Sequence, residues 1–303
     1  MSYDGRRRHQ AQRNRGVVLA MSIGRLFITG GGGFTGIHLL QASLIEGWDV
    51  KCFDGNLNDE EQLEKQLAFF SPDAIVHLAA ISLNTHADSL EVYKTNVLGT
   101  EHLLQAAVKV LPNIDRIILA SSASVYGIVE NGEITEDAPT KPITHYGISK
   151  LAMEHVGSMY SNRLPITTVR PFNYTGHGHG EQFVVPKIVK HYLERRPVVE
   201  LGNVDVTREF NDVRDVVRTY LQLLKHGEAN ETYNICSGNP VPLRRVVSLL
   251  EQITGHSLEI KINPAYIRPN DPHMLAGSPK KVKRIIEQSE PYSLGDTLSW
   301  MLQ

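Results

Sequence analysis

Thr29-Gly30-Gly31-Gly32-Gly33-Phe34-Thr35-Gly36 joins a short β-prone run, residues 25–29, to a helical stretch, residues 34–46. A helix N-terminus offers unpaired N–H groups and the positive end of a dipole, which together suit a pyrophosphate. Only a residue without a Cβ lets backbone come that close, so Gly30, Gly33 and Gly36 each have a job. Phe34 and Thr35 complete the segment that faces a dinucleotide. Glycine spacing alone is common by chance; strand, turn and helix in this order make it a dinucleotide-binding signature. A ribose-binding acid is expected about 20 residues further on. Asp54 closes the second strand near that distance, followed by Asn56 and Leu57. Its carboxylate either accepts from the 2′-hydroxyl of NAD, repelling the 2′-phosphate of NADP, or is an ordinary Asp-Gly turn residue. The connection is unusually short, as though a full helix between the second and third strands were missing. NADH and NADPH therefore both stay open.

Outward from this turn, apolar runs alternate with helical periods. Residues 50–53, 74–80, 116–120 and 165–170 read as strands. Residues 60–70, 92–110 and 145–160 read as helices, the second carrying Leu98, Leu103, Leu104 and Val108 along one side. Continuously apolar strands between helices indicate a parallel sheet covered on both faces. Past Pro171 the pattern loosens into helices (183–194, 215–225, 243–254) and short strands (198–201, 232–235, 258–262). The expected architecture is α/β: a doubly wound, Rossmann-like parallel sheet over residues 23–172, with a return segment near 208–225. A smaller, mainly substrate-binding lobe spans 173–303.

The bulk numbers agree with a globular chain. Of 303 residues 41% are hydrophobic and 21% charged, enough for a sizeable core. A net charge of -2 gives no general pull toward nucleic acid or anionic membrane. No apolar run approaches the roughly 20 residues of a bilayer span. Cys52 and Cys236 sit in apolar, strand-like contexts that suit buried thiols better than a disulfide or metal pair. Residues 1–22 differ in kind, with Arg6, Arg7, Arg8, Arg13 and Arg15 ahead of a short Val17-Val18-Leu19-Ala20. The apolar part is short for a signal peptide, and a transit peptide is conceivable. We read a flexible basic tail upstream of Met21, hence a cytoplasmic chain.

Tyr146-Gly147-Ile148-Ser149-Lys150 opens a helix, and residues four apart share a face, so phenol and ammonium point into one cleft. A free tyrosine titrates near pH 10, and a nearby cation is expected to draw it toward working pH. The lysine can also hold the nicotinamide ribose. Alone the pair is a common accident. Ser121-Ser122-Ala123-Ser124-Val125-Tyr126-Gly127, however, follows the fourth strand at the carboxyl edge where doubly wound sheets bind ligands. A hydroxyl there can polarise a carbonyl for hydride attack. Ser122 is assigned that role and Ser124 its support.

Taken with His77-Leu78-Ala79-Ala80 and Asn96-Val97-Leu98-Gly99-Thr100, these motifs resemble the extended short-chain dehydrogenases, a family of nucleotide-sugar epimerases, dehydratases and reductases. Arg170-Pro171-Phe172-Asn173-Tyr174-Thr175-Gly176, the run from Gly202 to Asp215 and Tyr233–Gly238 narrow the resemblance to the GDP-4-dehydro-6-deoxy-D-mannose reductases. It covers nearly everything from Met21 onward. It implies that Asn96, His77, Leu78, Ala79, Ala80 and Pro171 line the cofactor and that Asn173 touches the sugar nucleotide. It further implies that Arg208 meets the diphosphate, with Arg268 as a second anchor, and that two copies pair through helices 92–110 and 145–160. His177-Gly178-His179-Gly180 departs from the family, where proline and glutamine are more usual. These histidines could touch substrate, but a metal would need a third ligand.

Chemistry separates the relatives. Dehydratases place acids just after the serine, where this chain has Ala123 and Ser124; fucose-type epimerase-reductases place a cysteine nearby, and neither Cys52 nor Cys236 is close in sequence. Reduction at C4 is favoured. The C4-epimeric product GDP-6-deoxy-D-talose, a 4-epimerase with tightly bound NAD and a non-catalytic NAD(P) sensor are the alternatives.

Overall fold

The computed structural model describes residues 23–82, 88–129, 132–267, 274–286 and 290–303. The basic tail over 1–22 and the proposed anchor Arg268 lie outside the described residues.

The chain runs β1 (Arg25–Thr29), α1 (Phe34–Glu46), β2 (Asp49–Cys52), α2 (Glu60–Phe70), β3 (Ala74–His77), α3 (Ser89–Tyr93), α4 (Gly99–Val110), β4 (Arg116–Ala120), α5 (His145–Met159) and β5 (Ile166–Pro171). It continues through β6 (Tyr174–Thr175), α6 (Val184–Leu193), β7 (Val198–Leu201), β8 (Thr207–Arg208), β9 (Asn211–Asp212), α7 (Val213–His226) and β10 (Thr232–Ile235). It closes with β11 (Val241–Pro242), α8 (Leu243–Thr254), β12 (Glu259–Ile262), β13 (Met274–Leu275) and α9 (Leu294–Met301).

Six strands form one parallel sheet in the order β10-β5-β4-β3-β1-β2. The inner strands β1, β3 and β4 are buried along nearly their whole length because both faces are covered, whereas the edge strand β2, with Asp49 and Lys51, alternates exposed and half-buried residues instead of being continuously apolar. Leu26 and Ile28 point to one side, where α1 and α7 bring Leu39, Val217 and Leu221. Phe27 points to the other, against Leu63 of α2, Leu103 and Leu104 of α4 and Met153 of α5. The chain leaves β1 toward β2 and then returns past it to β3. That reversal opens a crevice at the carboxyl ends of β1 and β3. The rest packs around a separate core in which Ile188, Val199, Val246, Leu250 and Leu298 meet.

Three expectations change. The helix read at residues 60–70 is α2, whose cap Asp59 accepts from Gln62 N, so the connection between the second and third strands does not lack a helix. The single helix expected over 92–110 is interrupted by a π-helical turn, Lys94–Leu98, between α3 and α4. Such turns concentrate at functional sites, and here it carries the buried Asn96. The third strand stops at His77 rather than Ala80. No helix among the described residues is long and apolar enough to cross a membrane. Burial pushes the pKa of both free thiols, Cys52 and Cys236, upward, which makes them inert.

Candidate active site

The glycine turn is shaped by contacts that a side chain would destroy. Gly30 has φ +74°, in the left-handed region, and a Cβ there would lie 2.6 Å from Ala79 N across the crevice. Gly36, in the first turn of α1, packs so tightly that its Cβ would land on the Gly30 carbonyl oxygen. Gly33 N donates to that carbonyl at 3.0 Å, closing the turn, and no side chain caps α1. The first-turn amides are thus left to a ligand. This cradle fits a dinucleotide pyrophosphate, with the half-buried Leu78, Ala79 and Ala80 opposite it. Asp54 stands exposed just past β2, its carbonyl held by Gln66 Nε2 at 2.8 Å. Asn56 Oδ1 accepts from Asn58 N, and Leu57 is buried against Gly99, so these two shape the rim.

The polar cluster lies at the ends of β4 and α5. Thr144 caps α5 by accepting from Gly147 N at 3.1 Å. Gly147 is needed because a Cβ there would sit 2.7 Å from the Ser124 carbonyl. The helix start therefore lies directly on the serine turn, which brings the Tyr146 phenol beside the Ser122 side chain. Ser122 Oγ donates to Ser124 Oγ at 3.1 Å and accepts from Ser124 N at 3.1 Å. Lys150 is 2% exposed; its Nζ donates to the Ala120 carbonyl at 2.6 Å and lies 6.0 Å from the Tyr146 ring centre.

The electrostatics differ from the expectation that the lysine draws the phenol toward neutral pH. Burial, reinforced by Tyr174, pushes Tyr146 upward, and the neighbouring Ser122 offsets only part of this. The ammonium is turned to the Ala120 carbonyl, so desolvation decides the phenol's state. A protonated phenol is the form that can donate. Burial lowers Lys150 to about 8, with Glu154 opposing it.

The other residues singled out from sequence are distributed unevenly. Asn96 is fully buried; its Oδ1 accepts from Ile81 N and its Nδ2 donates to the Ile81 carbonyl and Ser149 Oγ. With both amide hydrogens spent, it braces the loop after β3 against α5. His77 lies buried between Thr29 and Thr100. Thr100 Oγ1 donates to the Asn96 carbonyl, so it accepts from His77 Nε2, and Nδ1 accepts from Thr29. Burial and then Lys150 lower this imidazole to about 3, so it stays neutral. Pro171 ends β5, Asn173 is exposed and Arg208 is buried with Nη1 on the Thr207 carbonyl. His179 is sandwiched between Phe34 and Phe183 at 4.3 and 4.2 Å, and burial holds it down at about 4. The His177 carbonyl meets His38 Nε2 at 3.0 Å. The histidine loop thus straps over α1.

Sequence reading missed three residues. Tyr174 hydrogen-bonds Thr35 at 2.7 Å beside the glycine turn. The fully buried Tyr220 hydroxyl has no hydrogen-bond partner among the described residues and is electrostatically coupled to Tyr174 and Tyr146. Glu154 pairs with Arg170 beneath the site. Only Glu154 left a sequence signal, as the next residue on the Tyr146–Lys150 face.

Comparison with known proteins agrees with this fold. The family model described as GDP-mannose 4,6 dehydratase matches residues 48–301. A GDP-6-deoxy-D-talose 4-dehydrogenase from Aggregatibacter actinomycetemcomitans is 33% identical, over 86% of this chain and 91% of the relative. A GDP-6-deoxy-D-mannose reductase from Pseudomonas aeruginosa is 34% identical, over 84% and 88%. The solved structure of RMD from Pseudomonas aeruginosa complexed with NADPH superposes with a TM-score of 0.85 at 31% identity, covering 92% of this chain and 97% of that one.

Proposed function

The chain belongs to the GDP-mannose 4,6-dehydratase family, and we propose that it reduces the C4 ketone of GDP-4-dehydro-6-deoxy-D-mannose to GDP-D-rhamnose with NADPH or NADH. One observation carries this reading. Tyr146, Ser122 and Lys150 converge at the carboxyl edge of the sheet, while Ala123 and Ser124 hold the places where a dehydratase needs acids.

When bound, a reduced nicotinamide supplies the hydride that adds to C4. Ser122 donates a hydrogen bond to the C4 oxygen, and the protonated Tyr146 delivers its proton there as the alcohol forms. Lys150 holds the nicotinamide ribose and keeps positive charge near the phenolate left behind. Gly30, Gly33, Phe34, Thr35 and Gly36 seat the pyrophosphate, and Asp54 faces the adenosine ribose. Arg208 and Arg268 grip the sugar-nucleotide diphosphate through bidentate guanidinium contacts, and Asn173 meets the sugar. Residues 173–303, apart from α7 and β10, serve as the substrate lobe.

The second reading is GDP-6-deoxy-D-talose, favoured by the Aggregatibacter relative, whose identity is nearly the same as the reductase's. The two products differ in which face of the ketone meets the nicotinamide. NMR of the product made from GDP-4-dehydro-6-deoxy-D-mannose separates them. A large H3–H4 coupling, from trans-diaxial protons, is expected for rhamnose, and a small one means talose. No cofactor oxidation with any 4-ketosugar nucleotide, despite cofactor binding, would instead leave a sensor.

A requirement for nucleotide sugar and reduced nicotinamide suits the cytoplasm, supplying bacterial surface polysaccharide synthesis. Exposed Leu98, Ile148 and Met159, at or near α4 and α5, favour pairing of two copies there. Light scattering should return a dimer mass; a monomer overturns that pairing.

A further inference from the structure

Beneath Lys150 lies a pair of opposite charges that the proposed reaction leaves unused. Glu154 follows Lys150 by one helical turn, on the same face of α5. Its Oε1 accepts from Ser121 Oγ at 2.5 Å and from Arg170 Nε at 2.9 Å, and its Oε2 accepts from Arg170 Nη2 at 2.7 Å. The side chains are only 10% and 9% exposed. Arg170 Nη1 continues to the Tyr126 hydroxyl at 2.9 Å and the Glu136 carbonyl at 3.1 Å, and Tyr126 donates to Asn234 Oδ1 at 2.7 Å. The network ties α5 to the ends of β4, β5 and β10. A buried ion pair is often no more stabilising than an apolar pair of equal volume, so stability alone does not account for it.

We propose that Glu154 is a positioning residue for the reacting centre: through Ser121 it fixes the Ser121–Ser122 turn, and its carboxylate is the counter-charge over which Lys150 is set. This rests on the reading of Tyr146 and Lys150 as the proton-donating pair. Tyr146 and Glu154 face Lys150 from its own helix. From β3 comes neutral His77, from β4 the Ala120 carbonyl, and from β5 Arg170, whose guanidinium is forked onto Glu154. Glu154 is the anion of this set. Burial draws the proton off Lys150 and Glu154 holds it on, leaving the ammonium near 8. Without the carboxylate, Lys150 gives up its proton at lower pH, and the donor site loses its cation sooner.

The test compares wild type, Glu154→Gln and Glu154→Gln/Arg170→Gln. The double variant avoids the orphaned guanidinium that can unfold the single one. The 13Cε resonance of Lys150, identified by its loss in Lys150→Met, is titrated without substrate, and ketone reduction is followed against pH. For wild type, titration and the alkaline fall in rate are expected at about pH 8. In Glu154→Gln both should move down by about one pH unit, and in the double variant, which loses the Arg170 cation as well, by less. A folded Glu154→Gln whose Lys150 titrates with wild type, or a folded double variant whose Lys150 titrates above wild type, overturns the role of Glu154. Wild-type protein inactive on every 4-ketosugar overturns the reduction reading instead, and the NMR titration still decides Glu154.

Discussion

Tyr146→Phe should lower kcat for ketone reduction by about a thousandfold, since positioned proton transfer contributes on the order of 10²–10⁴. The ring stays, so its packing and the α5 start, capped by Thr144 and seated on Ser124, stay with it. What is lost is the one phenolic hydrogen, which burial keeps in place far above its ordinary range. Ser122 remains to polarise the carbonyl, so a residual rate is expected. NADPH affinity, read by fluorescence, should be nearly unchanged because the glycine turn is untouched. A variant with wild-type kcat would sink the proton-donor assignment, whatever its product.

Gly36→Ala is expected to weaken NADPH binding by about a hundredfold, or ~2.8 kcal/mol. The new methyl would land on the Gly30 carbonyl oxygen, which is backbone and also accepts Gly33 N. Relief requires α1 to move away from β1, and that opens the cradle. Gly32→Ala is the matched control, because a Cβ at Gly32 meets nothing within 4 Å. Titration of both variants decides it: equal affinities would remove the turn from the cofactor site.

How much of this was legible from sequence depends on how far apart the interacting residues lie along the chain. The glycine turn could be read because strand, turn and helix are contiguous and the pyrophosphate demand is local. Tyr146 and Lys150 could be read because four residues of helix fix their common face. The same rule could have found Glu154. The break in the helix over 92–110 could not be read, because the turn carries Asn96, whose partner Ile81 lies fifteen residues away across a loop. Neither could the strapping of the histidine loop onto Phe34, which joins residues far apart in sequence.

By itself the sequence determined the parallel α/β class, and it marked the glycine turn and the Tyr146, Ser122 and Lys150 side chains as the proposed site. Each follows from short-range periodicity or from the absence of a Cβ. Only the tertiary structure decided the charge state of that site. The sequence pairs Tyr146 with a cation; the fold half-buries the phenol, buries Lys150 and turns it to the Ala120 carbonyl, and sets Glu154 beneath it. Desolvation depends on everything packed around a group, not on its neighbours along the chain. The chain marks the candidate groups, and packing decides which of them holds the proton.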